Sequence, residues 1–299
     1  MPELPEVETI RAGIADHAVG GRIESVEVFS DRAMRRQQGG RDEFAALLAG
    51  RTLTGARRRG KFLWLTLDHE GEEALLIHLG MSGQVLVRER TDDAAHLPAH
   101  ARVRLTLAGS PGNTGSPGRT VELLFVDQRT FGYMWAGPLT PEGLPEPVAH
   151  IGRDLLDPAL AAGTADYSEL VRAIRGTGRG IKTVLLDQRV LSGIGNIYAD
   201  EALWRARLHY ATPAERLRPS RAGELLESAR DVLTEALAAG GTSFDALYVD
   251  VAGDSGYFER ELAVYGREGL PCGRCGRAIV REPWANRSSF RCPACQRKR

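Results

Sequence analysis

The chain has 299 residues, 42% of them hydrophobic and 26% charged, with a formal net charge of zero at pH 7. This is long enough for two domains with cores of their own, and the balance excludes a disordered or disulfide-scaffolded chain. No apolar run approaches the ~20 residues of a membrane span, and no basic-then-apolar signal segment opens the chain. No membrane partner and a cytoplasmic location are therefore expected.

In chain order, Val7, Ile10, Ile14 and Ala18 recur at helical spacing, which predicts a helix over residues 5 to 18. Residues 22 to 136 then read mostly as short strands: Arg22–Phe29, Phe62–Leu67, Ala74–His78, Gln84–Val87, Val103–Leu107 and Val121–Val126. A helix over 42 to 48, ended by Gly50, interrupts them. Many short strands separated by turns predict a β-sandwich. The Gly/Ser/Pro-rich run from Gly109 to Gly118 reads as a surface loop without chemistry.

Residues 139 to 165 are rich in Gly, Pro and Ala and read as a linker. The pattern beyond is helical, at Tyr167–Ile174, Asn196–Trp204 and Ser220–Leu237. The last carries Leu225, Leu226, Ala229, Val232, Leu233 and Leu237 as one stripe and stops at Gly240-Gly241. Residues 242 to 260 read as a mobile loop, and a small cysteine module follows from Gly266. The expected division is 1–138, a linker at 139–165, 166–260 and 266–299.

The neutral total hides basic stripes. Nine Arg/Lys face two Glu between Arg267 and Arg299, and five basic residues with no acid lie between Arg51 and Lys61. Such clustering suits a protein that engages phosphates on one face, although any single stripe also fits solubilising charge.

All four cysteines sit near the end, as Cys272-x2-Cys275 and Cys292-x2-Cys295. Two pairs at this distance have the spacing of a closed, four-thiolate structural zinc site. A redox dithiol is the rival, but it needs no second pair. One structural Zn2+ is expected. Gly193-Ile194-Gly195-Asn196 lies between two helical segments. Read alone it is a helix start capped by Asn196, and its amides also offer a phosphate site. Arg57-Arg58-Arg59-Gly60-Lys61-Phe62 reads as a basic turn entering a strand.

The opening, Met1-Pro2-Glu3-Leu4-Pro5-Glu6-Val7-Glu8, has its own chemistry. Once Met1 is removed, Pro2 presents a secondary amine, and α-amino groups titrate near ~7.7–8.0. Such an amine can attack a sugar's anomeric carbon and form an iminium, with Glu3 placed to move protons.

This opening resembles that of bacterial formamidopyrimidine-DNA glycosylases. His78-Leu79-Gly80-Met81-Ser82-Gly83, Leu191-Ser192-Gly193-Ile194-Gly195-Asn196-Ile197-Tyr198 and the cysteine tail match the same family, so the resemblance runs from Pro2 to Cys295. It implies an α+β fold: an N-terminal β-sandwich with a flanking helix, then a helix–two-turn–helix domain with a zinc-finger β-hairpin. It implies a monomer that excises oxidised purines from damaged double-stranded DNA and cuts the strand by β,δ-elimination. Pro2 would be the nucleophile, Glu3 the proton shuttle, Glu6 a supporting carboxylate, and Lys61 a lysine reaching the scissile region. His100, Lys182, Asn196 and Arg287 would meet DNA. Met81, Arg129 and Phe131 would fill the void left by a flipped base, with Arg129 sensing the opposite base. The alternatives are an endonuclease VIII-type enzyme for oxidised pyrimidines and a non-catalytic zinc-ribbon DNA-binding protein. Leu4 and the full trio favour the purine branch, and the Pro2-Glu3 pair argues for an enzyme.

Overall fold

A computed structural model describes residues 2–68, 72–90, 97–110, 119–241, 251–252 and 262–298. The chain forms two compact units, Met1–His150 with Gly240–Tyr257, and Ile151–Ala239 with Phe258–Arg299.

In the first unit, α1 (Leu4–His17) opens the chain and α2 (Gly40–Leu48) follows β1 (Arg22–Val28). The remaining strands are β2 (Leu53–Arg59), β3 (Phe62–Leu67), β4 (Glu73–His78), β5 (Gly83–Glu89), β6 (Ala101–Ser110), β7 (Arg119–Asp127) and β8 (Tyr133–Pro138). They build two antiparallel sheets of four strands, ordered β1-β6-β7-β5 and β2-β3-β4-β8. The alternation along each strand explains the layering. Leu123 and Phe125 of β7 join Leu63, Leu65, Leu75, Ile77 and Met134 of the other sheet in one buried core. Glu122, between the inward residues, turns the other way and is bridged by Arg88 and Arg104. α1 adds Val7, Ile10 and Ile14 to the core, each burial being worth roughly 1.5–3 kcal/mol.

Two strands were not legible as such. The run Arg57–Arg59 belongs to β2 rather than to a turn, and the turn is the two residues Gly60-Lys61 between paired Arg59 and Phe62. β8 pairs with β4 along its whole length.

The second unit contains α3 (Ala165–Arg175), α4 (Ile181–Leu185), α5 (Asn196–Arg205), α6 (Pro219–Ala238) and the hairpin of β9 (Val280–Trp284) and β10 (Arg287–Arg291). The far half of the expected linker is not loose. Ile151, Leu155 and Leu160 are buried, Asp154 bridges to Ser192, and Arg230 of α6 holds the Leu160 carbonyl at 2.6 Å. In the α6 stripe Ala236 is buried, whereas Leu237 is half-buried. β9 and β10 join through Ala285 and Asn286, both with positive φ, as a tight two-residue hairpin turn requires.

The expected loop 242–260 lies almost wholly outside the described residues, as does 111–118 of the Gly/Pro-rich insertion. Gly241 and Val251, however, belong with the first unit rather than with the helices. Val251 accepts a hydrogen bond from the Val87 amide at 3.0 Å and packs where a Cβ on Gly13 would collide at 2.4 Å. A Cβ on Gly241 would meet Glu6 Oε1 at 3.1 Å.

Candidate active site and nucleic-acid interface

In the first unit the chain start is fixed by a reciprocal capping box. Glu3 is the residue before α1, Glu6 stands in its first turn, and Glu6 Oε2 accepts the Glu3 amide at 2.8 Å. Pro2, Glu3 and Glu6 are all buried. One turn on, Glu8 ties α1 to β2. Burial works to raise its carboxyl, but hydrogen bonds from Arg11 and Arg58 win and hold it below the usual carboxylate range. Arg58 Nε lies 2.8 Å from Glu8 Oε2, and its other arm reaches the Gly60 carbonyl at 3.1 Å. The turn that carries Lys61 is thereby braced against the helix that Glu3 precedes. Lys61 itself is buried.

His78 is the histidine that motif reading quoted without giving it a role. Its ring packs between Phe62 (4.6 Å) and Tyr133 (5.2 Å), and its Nδ1 accepts the Gly80 amide at 3.2 Å. Burial, then the cations Arg36, Lys61 and Arg35, push it down to about 4. His100 stands exposed with φ 68°, and its carbonyl accepts the Asp127 amide at 3.0 Å.

Met81, Arg129 and Phe131 come together at the surface. Met81 is 41% and Phe131 44% exposed, although both are large and apolar. Arg129 Nη2 donates to the Met81 carbonyl at 2.9 Å, and the guanidinium carbon lies 5.8 Å from the Phe131 ring centre. Core packing, the ordinary fate of Met and Phe, does not describe these side chains.

In the second unit, α5 organises three of the proposed contacts. Gly195, in extended conformation, is the residue before the helix, and Asn196 is its first helical residue. The expected Asn196 cap is therefore corrected. Its side-chain Nδ2 instead donates to the Ser288 carbonyl of β10 at 3.0 Å, because an amide at this position points across to the hairpin. Arg287 begins β10 and is exposed. Lys182 was expected to approach DNA. The structure instead buries it completely: its Nζ lies 2.7 Å from Asp200 Oδ1 and 3.2 Å from Ser289 Oγ. An ammonium sealed this way is spent on an internal partner. Burial pushes the Asp200 carboxyl up, against the pull of Lys182 and the Phe290 amide at 2.9 Å. Its neighbour Glu201 gathers the amides of Ala263, Val264 and Tyr265 at 2.8–2.9 Å.

The sulfurs of Cys272, Cys275, Cys292 and Cys295 all lie within 4.8 Å of one another, a cluster that can hold a metal ion. Cys275 Sγ is 3.5 Å from that of Cys292 and 3.7 Å from that of Cys295. Burial works to raise Cys272, but the Trp204 indole N–H at 3.4 Å and backbone amides bring it down to about 6. Burial and neighbouring thiols push Cys295 up to about 12. Four thiolates this close repel one another unless a cation sits among them.

The profile of the Formamidopyrimidine-DNA glycosylase N-terminal domain matches residues 1–134, and that of the Formamidopyrimidine-DNA glycosylase H2TH domain matches residues 151–247. The chain is 54% identical over 296 residues to the formamidopyrimidine-DNA glycosylase of Acidothermus cellulolyticus, covering 99% of this chain and 97% of that one. It is 51% identical over 300 residues to that of Thermobifida fusca, covering 99% and 97%. The crystal structure of MutM (Fpg) from Thermus thermophilus superposes with a TM-score of 0.80 at 36% identity, covering 99% and 98%. Lactococcus lactis Fpg in complex with DNA containing an abasic site gives 0.83 at 30%, covering 99% and 100%. With its two matched domains and relatives at half identity over the full length, the chain belongs to the formamidopyrimidine-DNA glycosylase family.

Proposed function

We propose that this protein is a bifunctional DNA glycosylase and abasic-site lyase that removes oxidised purines, 8-oxoguanine and formamidopyrimidines, from duplex DNA. The observation that carries the reading lies in the first unit. A buried Pro2-Glu3 pair is fixed by α1, and a surface trio of Met81, Arg129 and Phe131 has the shape and polarity of a wedge. That exposed trio also favours the purine branch over an endonuclease VIII-type enzyme.

Pro2, freed of Met1, attacks the anomeric carbon of the damaged nucleoside, and the base leaves with a proton. In the aminal that results, the bond from the anomeric carbon to the ring oxygen breaks as that oxygen takes a proton, which gives an iminium, an electron sink that acidifies the adjacent carbon. Successive β- and δ-eliminations expel the two flanking phosphates and leave a one-nucleotide gap. Glu3 passes protons as the sugar ring opens, Glu6 holds the chain start in place, and Lys61 approaches the scissile phosphate. A base inside the stack is out of reach, so Met81 and Phe131 occupy its vacated place while Arg129 meets the widowed base. Asn196, Arg287 and His100 take phosphates.

The cysteine cluster fits zinc. Four sulfurs bound at ~2.3 Å stand ~3.8 Å apart in a tetrahedron, close to the separations around Cys275. A closed four-sulfur ion supplies no open position for chemistry, so its part is to stiffen the module that presents Arg287. In domain terms residues 1–138 carry the chemistry, the helices between 151 and 239 bind DNA and 266–299 form the finger. The protein acts as a monomer in the bacterial cytoplasm, in line with its bacterial relatives. Among the described residues no helix is long and apolar enough to cross a membrane.

The test is borohydride trapping on duplexes holding 8-oxoguanine, a formamidopyrimidine or an oxidised pyrimidine. A covalent adduct at Pro2 and faster excision of the purine lesions are expected. Adduct formation with Met1 still attached, where the proline nitrogen is an amide, contradicts the assignment.

A further inference from the structure

The trio Met81, Arg129 and Phe131 stands on two loops, and one buried carboxylate joins them. Asp127 ends β7 and is fully buried. Its Oδ1 accepts the Ser82 hydroxyl at 2.5 Å and the Arg129 amide at 3.2 Å. Its Oδ2 accepts the Gly132 amide at 2.7 Å. The same Ser82 oxygen lies 3.3 Å from the Arg129 nitrogen. One side chain thus fixes the residue after Met81, the backbone of Arg129 and the residue after Phe131.

The second side of the grip comes from Arg35. Its Nη1 donates to the Gly132 carbonyl and its Nη2 to the Phe131 carbonyl, both at 2.6 Å. The peptide unit following Phe131 is therefore held through its N–H by Asp127 and through its C=O by Arg35. The loops also touch backbone to backbone. Gly80 has φ 63°, and a Cβ there would lie 2.4 Å from the Phe131 carbonyl carbon. Thr130 takes a left-handed conformation between Arg129 and Phe131, at φ 53°. For a β-branched residue that backbone is strained, and it persists only when surroundings over-determine it.

We infer that Asp127, with Arg35 opposite, is a positioning residue for base extrusion: it holds Met81, Arg129 and Phe131 as one preformed wedge. The inference rests on the wedge reading given under Proposed function. Preforming matters because taking a base out of the stack already carries the cost of unpairing and unstacking it. A wedge that had to be ordered at the same moment would add its own entropy to that cost.

The experiment compares D127N, S82A and F131A under single-turnover conditions. The substrates are 8-oxoguanine opposite cytosine, 8-oxoguanine opposite adenine, and a ready-made abasic site. Asparagine matches the carboxylate in shape but has an –NH2 where one accepting oxygen stood, so it releases either Gly132 or the Ser82–Arg129 pair. D127N is expected to slow excision opposite cytosine by about tenfold or more, about 1.4 kcal/mol of barrier. It should lower the cytosine-to-adenine preference and leave abasic-site cleavage within a few-fold. S82A, which removes one donor to Asp127 and the weaker of the two acceptors of the Arg129 amide, should move the same ratios in the same direction by less. If F131A separates the substrates but D127N and S82A do not, the inference about Asp127 falls while the wedge stands. If F131A slows all three substrates alike, the wedge reading falls, and the inference with it. If D127N does not fold, the S82A ratios decide: unchanged preference overturns the inference.

Discussion

Lys182 holds its Nζ 2.7 Å from Oδ1 of Asp200, with both side chains shut away from solvent. The pair sits behind the hairpin: Asp200 also takes the Phe290 amide, and Lys182 reaches the Ser288 carbonyl at 3.4 Å. Breaking one partner of such a pair leaves a buried charge alone, at roughly 3–5 kcal/mol. K182M should therefore lose about that much stability in denaturant unfolding. K182M/D200N should recover part of it, because no uncompensated charge is left. Additive losses in the double variant would show that the two groups act independently.

Salt dependence separates this buried cation from the exposed one. Arg287 is free to release counterions when it meets a phosphate, whereas Lys182 is sealed. R287A should flatten the plot of log affinity against log salt by about 0.9 for undamaged duplex. K182M should leave the slope unchanged while it weakens binding. A changed slope in K182M would mean that the lysine swings out to DNA.

The metal prediction uses Trp204 as its reporter. Its indole N–H points at the Cys272 sulfur, and the Arg274 guanidinium lies 3.8 Å from its ring centre. Metal analysis should find about one zinc per chain. Chelation should shift tryptophan emission, and W204F should remove most of that shift. C292S should lose both zinc and duplex affinity while the first unit keeps its cooperative unfolding. Zinc-free protein with normal affinity would contradict the structural role.

His78 makes stability depend on acid. Folded, it titrates at about 4 rather than the ordinary 6.5. Between those values the unfolded chain binds a proton that the folded chain refuses. Stability is thus full above about 6.5 and declines as pH falls toward 4, by up to about 3 kcal/mol. H78N should show a shallower decline over that window, measured as the difference between the two unfolding curves. Identical slopes would mean that the imidazole is protonated without penalty.

Much of this was legible from the chain. β3 was read at Phe62–Leu67 because its residues are nearly all apolar, α1 followed from helical spacing, and α6 from its apolar stripe and the Gly240-Gly241 stop. β2 was not, because Arg57, Arg58 and Arg59 have no apolar alternation, and Leu53 alone is fully inside. α4 has five residues, too few for a period to register. At the site, the cysteine spacing and the Pro2-Glu3 pair carried their own chemistry. Asn196 was misjudged because a helix start and a hairpin carbonyl compete for the same amide, and Ser288 lies 92 residues away. Arg35 left no trace in sequence, since the carbonyl it holds is 96 residues on. Asp127 gave no signal of its own, standing two residues before an arginine with a more obvious role.

The burial of Lys61 and Lys182 has a practical corollary for chemical proteomics. Nearly all of the 39 basic residues are arginines; lysine stands at 61, 182 and 298 alone. A guanidinium stays protonated near neutrality and cannot condense with an aldehyde as an amine does. The amines able to capture a sugar are thus few, and among the lysines only Lys298 is exposed. Cleavage at arginine puts the leading candidates on separate peptides, Pro2–Arg11 and Gly60–Arg88. One digest of a reduced adduct, read by mass, assigns the nucleophile without any substitution in the protein.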